Sequence, residues 1–438
     1  MFNVLIWCKI LYFRVVQEDF LHYIWKHKMF TQTNLKTVNN DTVTISAVGE
    51  HNFNAGPDFF NAKLKINEQL WAGNVKIHIK SSDWFLHNQE QDKAYDNVIL
   101  HVVWEYDAEV FRQNNTEIPT LQLKDYVSPL ALKKYTTLFN AQHRWINCEN
   151  NFTSVDDFTI SNWLERLYFE RLERKSKDVL ALLKASKNNW EAVLFKMLAK
   201  NFGLKVNGEA FLSLANSFDF SILRKSQSKL ITIEALLFGQ SGLLRDTVED
   251  GYYQLLQKEY EFLTQKFSLD NAHVVAPSFF RLRPNNFPTI RLSQLANVYH
   301  THQNLFSKVI EAKSLDAIYT IFSAETSAFW ENHYTFLKTS KVTKKTVSKA
   351  FINLLIINTI IPIKFSYAKS QGKSTDNAIL ELIEALPAEK NSIVDKFNTL
   401  KKVSTQALHS QALLQLKTEY CDKNYCLKCA IGNKLLAH

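Results

Sequence analysis

One change of apolar rhythm constrains this chain more than any other feature. Between about Thr42 and Leu123 the apolar residues fall in short β-rich runs, at 43–48, 59–66, 70–79, 97–104 and 120–123, each bounded by Asn, Asp, Gly or charged residues. A helix over 17–30 precedes them. After Ser128 the strand pattern fades and Trp163, Leu164, Leu167, Tyr168, Leu172, Val179, Leu180 and Leu183 recur at helical spacing. Ser154-x-x-Asp157 marks a helix start there, and Gly203 stands where a C-cap glycine would end a helix over 190–201. Further helical runs follow at 234–238, 252–267, 292–310, 347–361 and 378–386. The order predicts an α+β chain: a β-rich domain over 17–127, then a large all-helical region over 128–438. Only 10 Gly and 8 Pro in 438 residues agree with long helices and exclude a loop-rich or all-β protein.

Length and charge set wider bounds. At 438 residues and 46% hydrophobic content, the chain can bury more than one core. Its 52 Lys+Arg against 43 Asp+Glu leave a net charge of +9, compatible with nucleic acid as partner and equally common among enzymes. Five cysteines, an odd number with three near the C-terminus, do not form the framework of a secreted disulfide protein, and a reducing cytoplasm is the expected setting. The apolar run 350–363 is too short to span a bilayer and stops against Pro362 and Lys364, so it reads as a buried helix and no membrane is expected. The first residues are apolar, but Lys9 and Arg14 interrupt them and no small-residue cleavage site follows. Residues 1–16 are therefore read as an extension outside the fold.

The chemistry concentrates in one hairpin. Gly56-Pro57-Asp58 opens a strand, and the next carries Lys76, His78 and Lys80 alternating with Val75, Ile77 and Ile79. Alternation buries the apolar set and gathers the basic set, with Asp58 beside it, on the other face. This layout resembles the core of the PD-(D/E)XK phosphodiesterases, a restriction-endonuclease-like arrangement. There an Asp and an Asp or Glu hold a divalent metal while a Lys polarises the attacking water. The resemblance implies magnesium held by Glu50 and Asp58, with His78 or Lys80 in the basic role, because a hard cation needs oxygen ligands. The sequence departs from that pattern: Lys76 stands at the place of the second carboxylate and His78 at that of the lysine. The same residues also suit a plain turn followed by a solvated strand face. His87 and Asp92 follow within reach of such a site, whereas His101, inside an apolar strand, reads as a core histidine.

Two further segments carry candidate sites. Arg281, Arg283 and Arg291 lie in Phe-Arg-Leu-Arg-Pro-Asn-Asn-Phe-Pro-Thr-Ile-Arg, a rigid connector whose arginine forks suit phosphate oxygens and one wall of a nucleic-acid groove. They suit internal pairing within an architectural connector as well. Cys421, Cys426 and Cys429 form a C-x4-C-x2-C cluster near the end of the chain; with Cys148 as fourth ligand they would hold zinc or an iron–sulfur cluster, and without it they are reduced structural thiols.

Several short texts together resemble a bacterial family known only as a domain of unknown function, number 2851. They are Glu18-Asp19-Phe20-Leu21-His22-Tyr23-Ile24-Trp25, Asn54-Ala55-Gly56-Pro57-Asp58-Phe59, Trp71-Ala72-Gly73-Asn74-Val75, Leu237-Phe238-Gly239-Gln240-Ser241-Gly242 and Arg283-Pro284-Asn285-Asn286-Phe287-Pro288. The resemblance runs from Gln17 almost to the end and brings no activity with it. In that family a glutamate often stands at the position of Lys76, which implies a metal ligand lost here. The expectation is a metal-dependent nucleic-acid phosphodiesterase or a degenerate nucleic-acid-binding relative of one; the alternative is a non-catalytic binding or scaffold protein.

Overall fold

The computed structural model describes residues 16–52, 54–139, 144–374 and 376–437. Residues 1–15 of the expected extension lie outside them. Val16, read from the sequence as part of the extension, is buried at 7% exposure and joins the apolar core. The chain divides into two compact units, residues 1–163 with 416–438, and residues 164–415. Composition alone drew the line at 127/128, and it did not assign the cysteine-bearing tail to the first unit.

The first unit is built on a seven-stranded sheet ordered β1-β2-β4-β5-β6-β7, with β3 paired to β4. Its strands are β1 (Leu35–Lys36), β2 (Thr42–Ala47), β3 (Glu50–His51), β4 (Phe59–Ile66), β5 (Gln69–Lys80), β6 (Val98–Glu105) and β7 (Thr120–Gln122). The pairs from β1 through β5 are antiparallel, whereas β6 runs parallel to β5, and β7 parallel to β6. Helix α1 (Glu18–Lys26) buries Phe20, Leu21, Ile24 and Trp25 in one cluster with Val75, Ile77, Leu100 and Val102. Trp25 stacks on Phe30 with centroids 5.8 Å apart, and its indole N–H donates to the Val48 carbonyl at 3.1 Å. Each such buried ring contributes roughly 1.5–3 kcal/mol.

The second sheet face is covered too. The return from β5 to β6 is a parallel crossover, and parallel strands bury both faces. Helix α2 (Asp83–Leu86) and the turns after it lay Trp84 against Val98, Val110 and Ile118. Gly73 lets β5 approach β6: a Cβ there would stand 2.5 Å from Ile99 Cγ2 and 2.7 Å from the Asn97 carbonyl.

The second unit is helical apart from a small hairpin, β8 (His333–Thr335) with β9 (Lys338–Thr339), which the all-helical expectation did not contain. The long helix Asp157–Ala185 starts at a cap supplied by Asp156, whose carboxylate accepts the Thr159 N–H at 2.8 Å, rather than by Ser154. Gly203 does end the helix Trp190–Phe202, but at an ordinary φ of −67°; its need is space, since a Cβ would meet the Asn207 carbonyl at 2.3 Å. The apolar run expected to stop at Pro362 continues as helix to Ser370. A π-helical segment, Ile356–Ile360, lies just before the proline and loosens the turn its ring would otherwise strike. The whole helix, Lys349–Ser370, has 22 residues and by length and composition alone could cross a membrane; 67% of its apolar window is buried inside the protein.

Candidate functional site

The site arises where β5 outruns β4. Phe59 of β4 faces Val75, so beyond that pair β5 has no antiparallel neighbour on this edge. The Ile77 N–H would be left without an acceptor there, and Asp58, one residue before β4, supplies its carboxylate Oδ2 at 2.7 Å. The Asp58 N–H donates back to the Val75 carbonyl at 3.1 Å. The Pro-Asp text thus serves the sheet and aims a carboxylate at the next side chain along β5, Lys76.

The Lys76 ammonium lies 3.0 Å from Asp58 Oδ2 and 3.1 Å from Oδ1. It also lies 3.5 Å from Glu18 Oε1 on α1. His22, one turn along α1, places its Nε2 3.6 Å from both Glu18 and Asp58, within ion-pair range and longer than a good hydrogen bond. Burial lowers the His22 pKa, but the two carboxylates outweigh it and hold it at about 9. Burial likewise raises that of Asp58, and His22, Lys76 and the Ile77 N–H reverse the effect and hold it below its ordinary value. At neutral pH the four groups carry two positive and two negative charges. Beside them, His51 stacks on Phe59 at 4.8 Å and has its pKa lowered to about 4, by burial first and by the charge of His22 next.

The structure joins only part of the expected set. Glu50, expected to share a metal with Asp58, lies exposed on β3 opposite Phe60. Among the described residues, the trio whose ligand atoms lie within 4.8 Å of one another is Glu18, His22 and Asp58. Lys76 and His78 do not line an open basic face: they are 7% and 2% exposed, because the crossover covers that side of the sheet. His78 turns its Nδ1 to His101 Nε2 at 2.9 Å and its Nε2 to the Gln89 amide at 3.3 Å, with His87 stacked on it at 5.6 Å. Burial drives the His78 pKa far down and that of His101 to about 3, so both rings are neutral. Lys80, four residues from Lys76 and so about 13 Å along the strand, is half-exposed with its ammonium 3.8 Å from Asp107. Asp92 accepts the Ala94 N–H at 2.9 Å and closes a local turn.

In the second unit, Arg281 and Arg283 are exposed. Arg291 is turned inward: it donates to Asn286 Oδ1 at 2.6 Å and Gln294 Oε1 at 2.9 Å and lies over the Phe351 ring at 3.7 Å, unavailable to a phosphate. The helix starting at Pro288 carries it into the core.

A family model described as a protein of unknown function, DUF2851, matches residues 18–392. The chain belongs to this family. Neither a curated protein nor a solved structure matches it. The match to DUF2851 starts at Glu18, the first member of the quartet. Sequence reasoning passed over Glu18 and His22 as site residues, although one signal was present. In a helix whose Phe20, Leu21, Ile24 and Trp25 are apolar, a Glu and a His four apart share the flank of the buried stripe.

Proposed function

We propose that this DUF2851 chain is a non-cleaving, nucleic-acid-binding relative of the metal-dependent phosphodiesterases that its hairpin resembles. One observation carries the reading: the Lys76 ammonium stands between Asp58 and Glu18, the carboxylates that would otherwise hold a cation. A hard dication needs an oxygen cage with negative charge to spare. Here Lys76 and protonated His22 already neutralise both carboxylates. A magnesium ion entering the quartet would face two fixed positive charges, each like-charge pair costing roughly 4 kcal/mol per unit charge at 4 Å under protein-surface screening. The donor set therefore does not fit magnesium while Lys76 is in place.

The groups that would handle water are engaged elsewhere as well. His78 is neutral and hydrogen-bonded to its own face, and Lys80 sits beside Asp107. Binding remains as the role that the net charge of +9 and the exposed Arg281 and Arg283 support. Fluorescence anisotropy with labelled single-stranded DNA and RNA, followed by gel analysis of the same samples with magnesium or manganese, tests it. The reading predicts salt-dependent binding of intact oligonucleotide, weakened by Arg281→Ala with Arg283→Ala. Magnesium-dependent cleavage abolished by Asp58→Ala would overturn the non-cleaving assignment. Failure to bind either polymer at low salt would overturn the nucleic-acid one.

A further inference from the structure

The first unit holds a second constellation, unrelated to the carboxylates. Cys148 lies at the turn before the short helix Glu149–Ser154, Cys421 at the end of the helical segment Leu416–Cys421, Cys426 in the turn Cys426–Lys428, and Cys429 just before the helix Ala430–Ala437. More than 270 residues apart in sequence, the two segments meet. The Asn147 amide donates to Cys426 Sγ at 3.4 Å and to Asn424 Oδ1 at 3.2 Å, and Cys148 packs against the same apolar cluster as Cys426. Gly432 is required for the approach, since a Cβ there would stand 2.1 Å from the Cys426 carbonyl. None of the four is in a disulfide; Cys426 and Cys429 are buried, and Cys148 and Cys421 partly so.

Each of the four sulfurs lies within charge–charge reach of the other three. A side-chain N–H is aimed at one of them, the Asn147 amide at Cys426. Donors aimed at sulfur suit a thiolate, while an apolar setting refuses one unless a cation shares its charge.

We infer that Cys148, Cys421, Cys426 and Cys429 are the four thiolate ligands of an iron–sulfur cluster seated in the first unit. Their spacing selects the cluster over zinc. Four sulfurs around one zinc stand about 3.8 Å apart, from a Zn–S bond of about 2.3 Å in tetrahedral geometry. No three of these sulfurs lie within 4.8 Å of one another among the described residues. A cluster of several irons holds its thiolates further apart than a single ion does. Bound there, it would tie the C-terminal segment to Cys148, and its binding free energy would become folding free energy of this unit.

The test uses the full chain, purified without oxygen from cells grown with added iron. The inference predicts several irons and matching acid-labile sulfide per chain, broad visible absorbance that dithionite bleaches, and a paramagnetic signal in the reduced form. Cys421→Ser should remove the absorbance and lower the unfolding midpoint, whereas Cys8→Ser should retain both. One zinc and no iron per chain would overturn the cluster in favour of a single-ion site. Metal-free protein with the midpoint unchanged by Cys421→Ser would overturn the site altogether. Should Cys421→Ser fail to fold, the iron, sulfide and spectrum of the unaltered chain decide alone.

Discussion

At the scale of single residues, the quartet of Glu18, His22, Asp58 and Lys76 makes stability depend on pH in a defined direction. His22 titrates at about 9 in the fold against an ordinary 6.5, so its protonated form favours the folded state. Its contribution is complete below about pH 6.5 and is lost as pH rises through 9, up to roughly 3 kcal/mol in all. Asp58 is held below its ordinary 3.8, so its contribution is present above that value and lost as pH falls. In chemical denaturation, the stability lost on His22→Asn should be full near about pH 6 and vanish above about pH 9. The acid loss below about pH 4 should shrink too, because His22 helps to hold Asp58 down. Lys76→Met leaves two carboxylates facing each other and should cost about 3–5 kcal/mol, as breaking one side of a buried pair does. Combined with Asp58→Asn, the loss should be smaller than the sum, and additive losses would show that the two do not interact. Of these four, the sequence pointed to Asp58 through its Pro-Asp setting and marked Lys76 as out of pattern. It did not show that the ammonium folds back onto Asp58, because that depends on where β4 stops along β5.

Among the elements, five of the first unit's seven strands were legible almost to the residue, since each carried its own alternation and its own turn residues, whereas the two-residue β1 and β3 are too short to carry either. Gly73 in the middle of β5 shows what such a pattern omits: it is demanded by Ile99 and Asn97 on the neighbouring strand. Gly73→Ala should cost roughly 1–3 kcal/mol by overpacking, read as a lowered denaturation midpoint with an unchanged slope. The covered second face of β5 was not legible, because alternation alone cannot tell a solvated polar face from one roofed by a crossover. The helix through Pro362 failed for a related reason: a local rule stops a helix at proline, and the π segment before it suspends the rule. That segment leaves the Ile357 carbonyl to Lys175, whose ammonium also reaches Asn358 Oδ1 at 2.8 Å. Burial lowers the Lys175 pKa to about 7, so the fold disfavours its proton and stability should rise as pH increases from 7 toward 10 on its account. Lys175→Met should remove that rise, and an unchanged pH profile would contradict the placement of Lys175.

For the whole molecule, the change of apolar rhythm gave the α+β class, but a long-range return was invisible to it. The C-terminal segment sends Cys426 and Leu436 into the core of the β-rich unit. A chain ending at Gln415 should therefore lose the first unit's stability, with its unfolding midpoint lowered by several degrees or more; an unchanged midpoint would contradict that packing. The central claim concerns the cation that this unit carries within its own sequence. Calorimetric titration of manganese into the intact chain and into Lys76→Glu addresses it most directly. The account predicts no binding heat for the intact chain and gained binding for Lys76→Glu, which removes an ammonium and adds a carboxylate beside Asp58 and Glu18. Tight binding by the intact chain, lost on Asp58→Ala and not improved by Lys76→Glu, would contradict it.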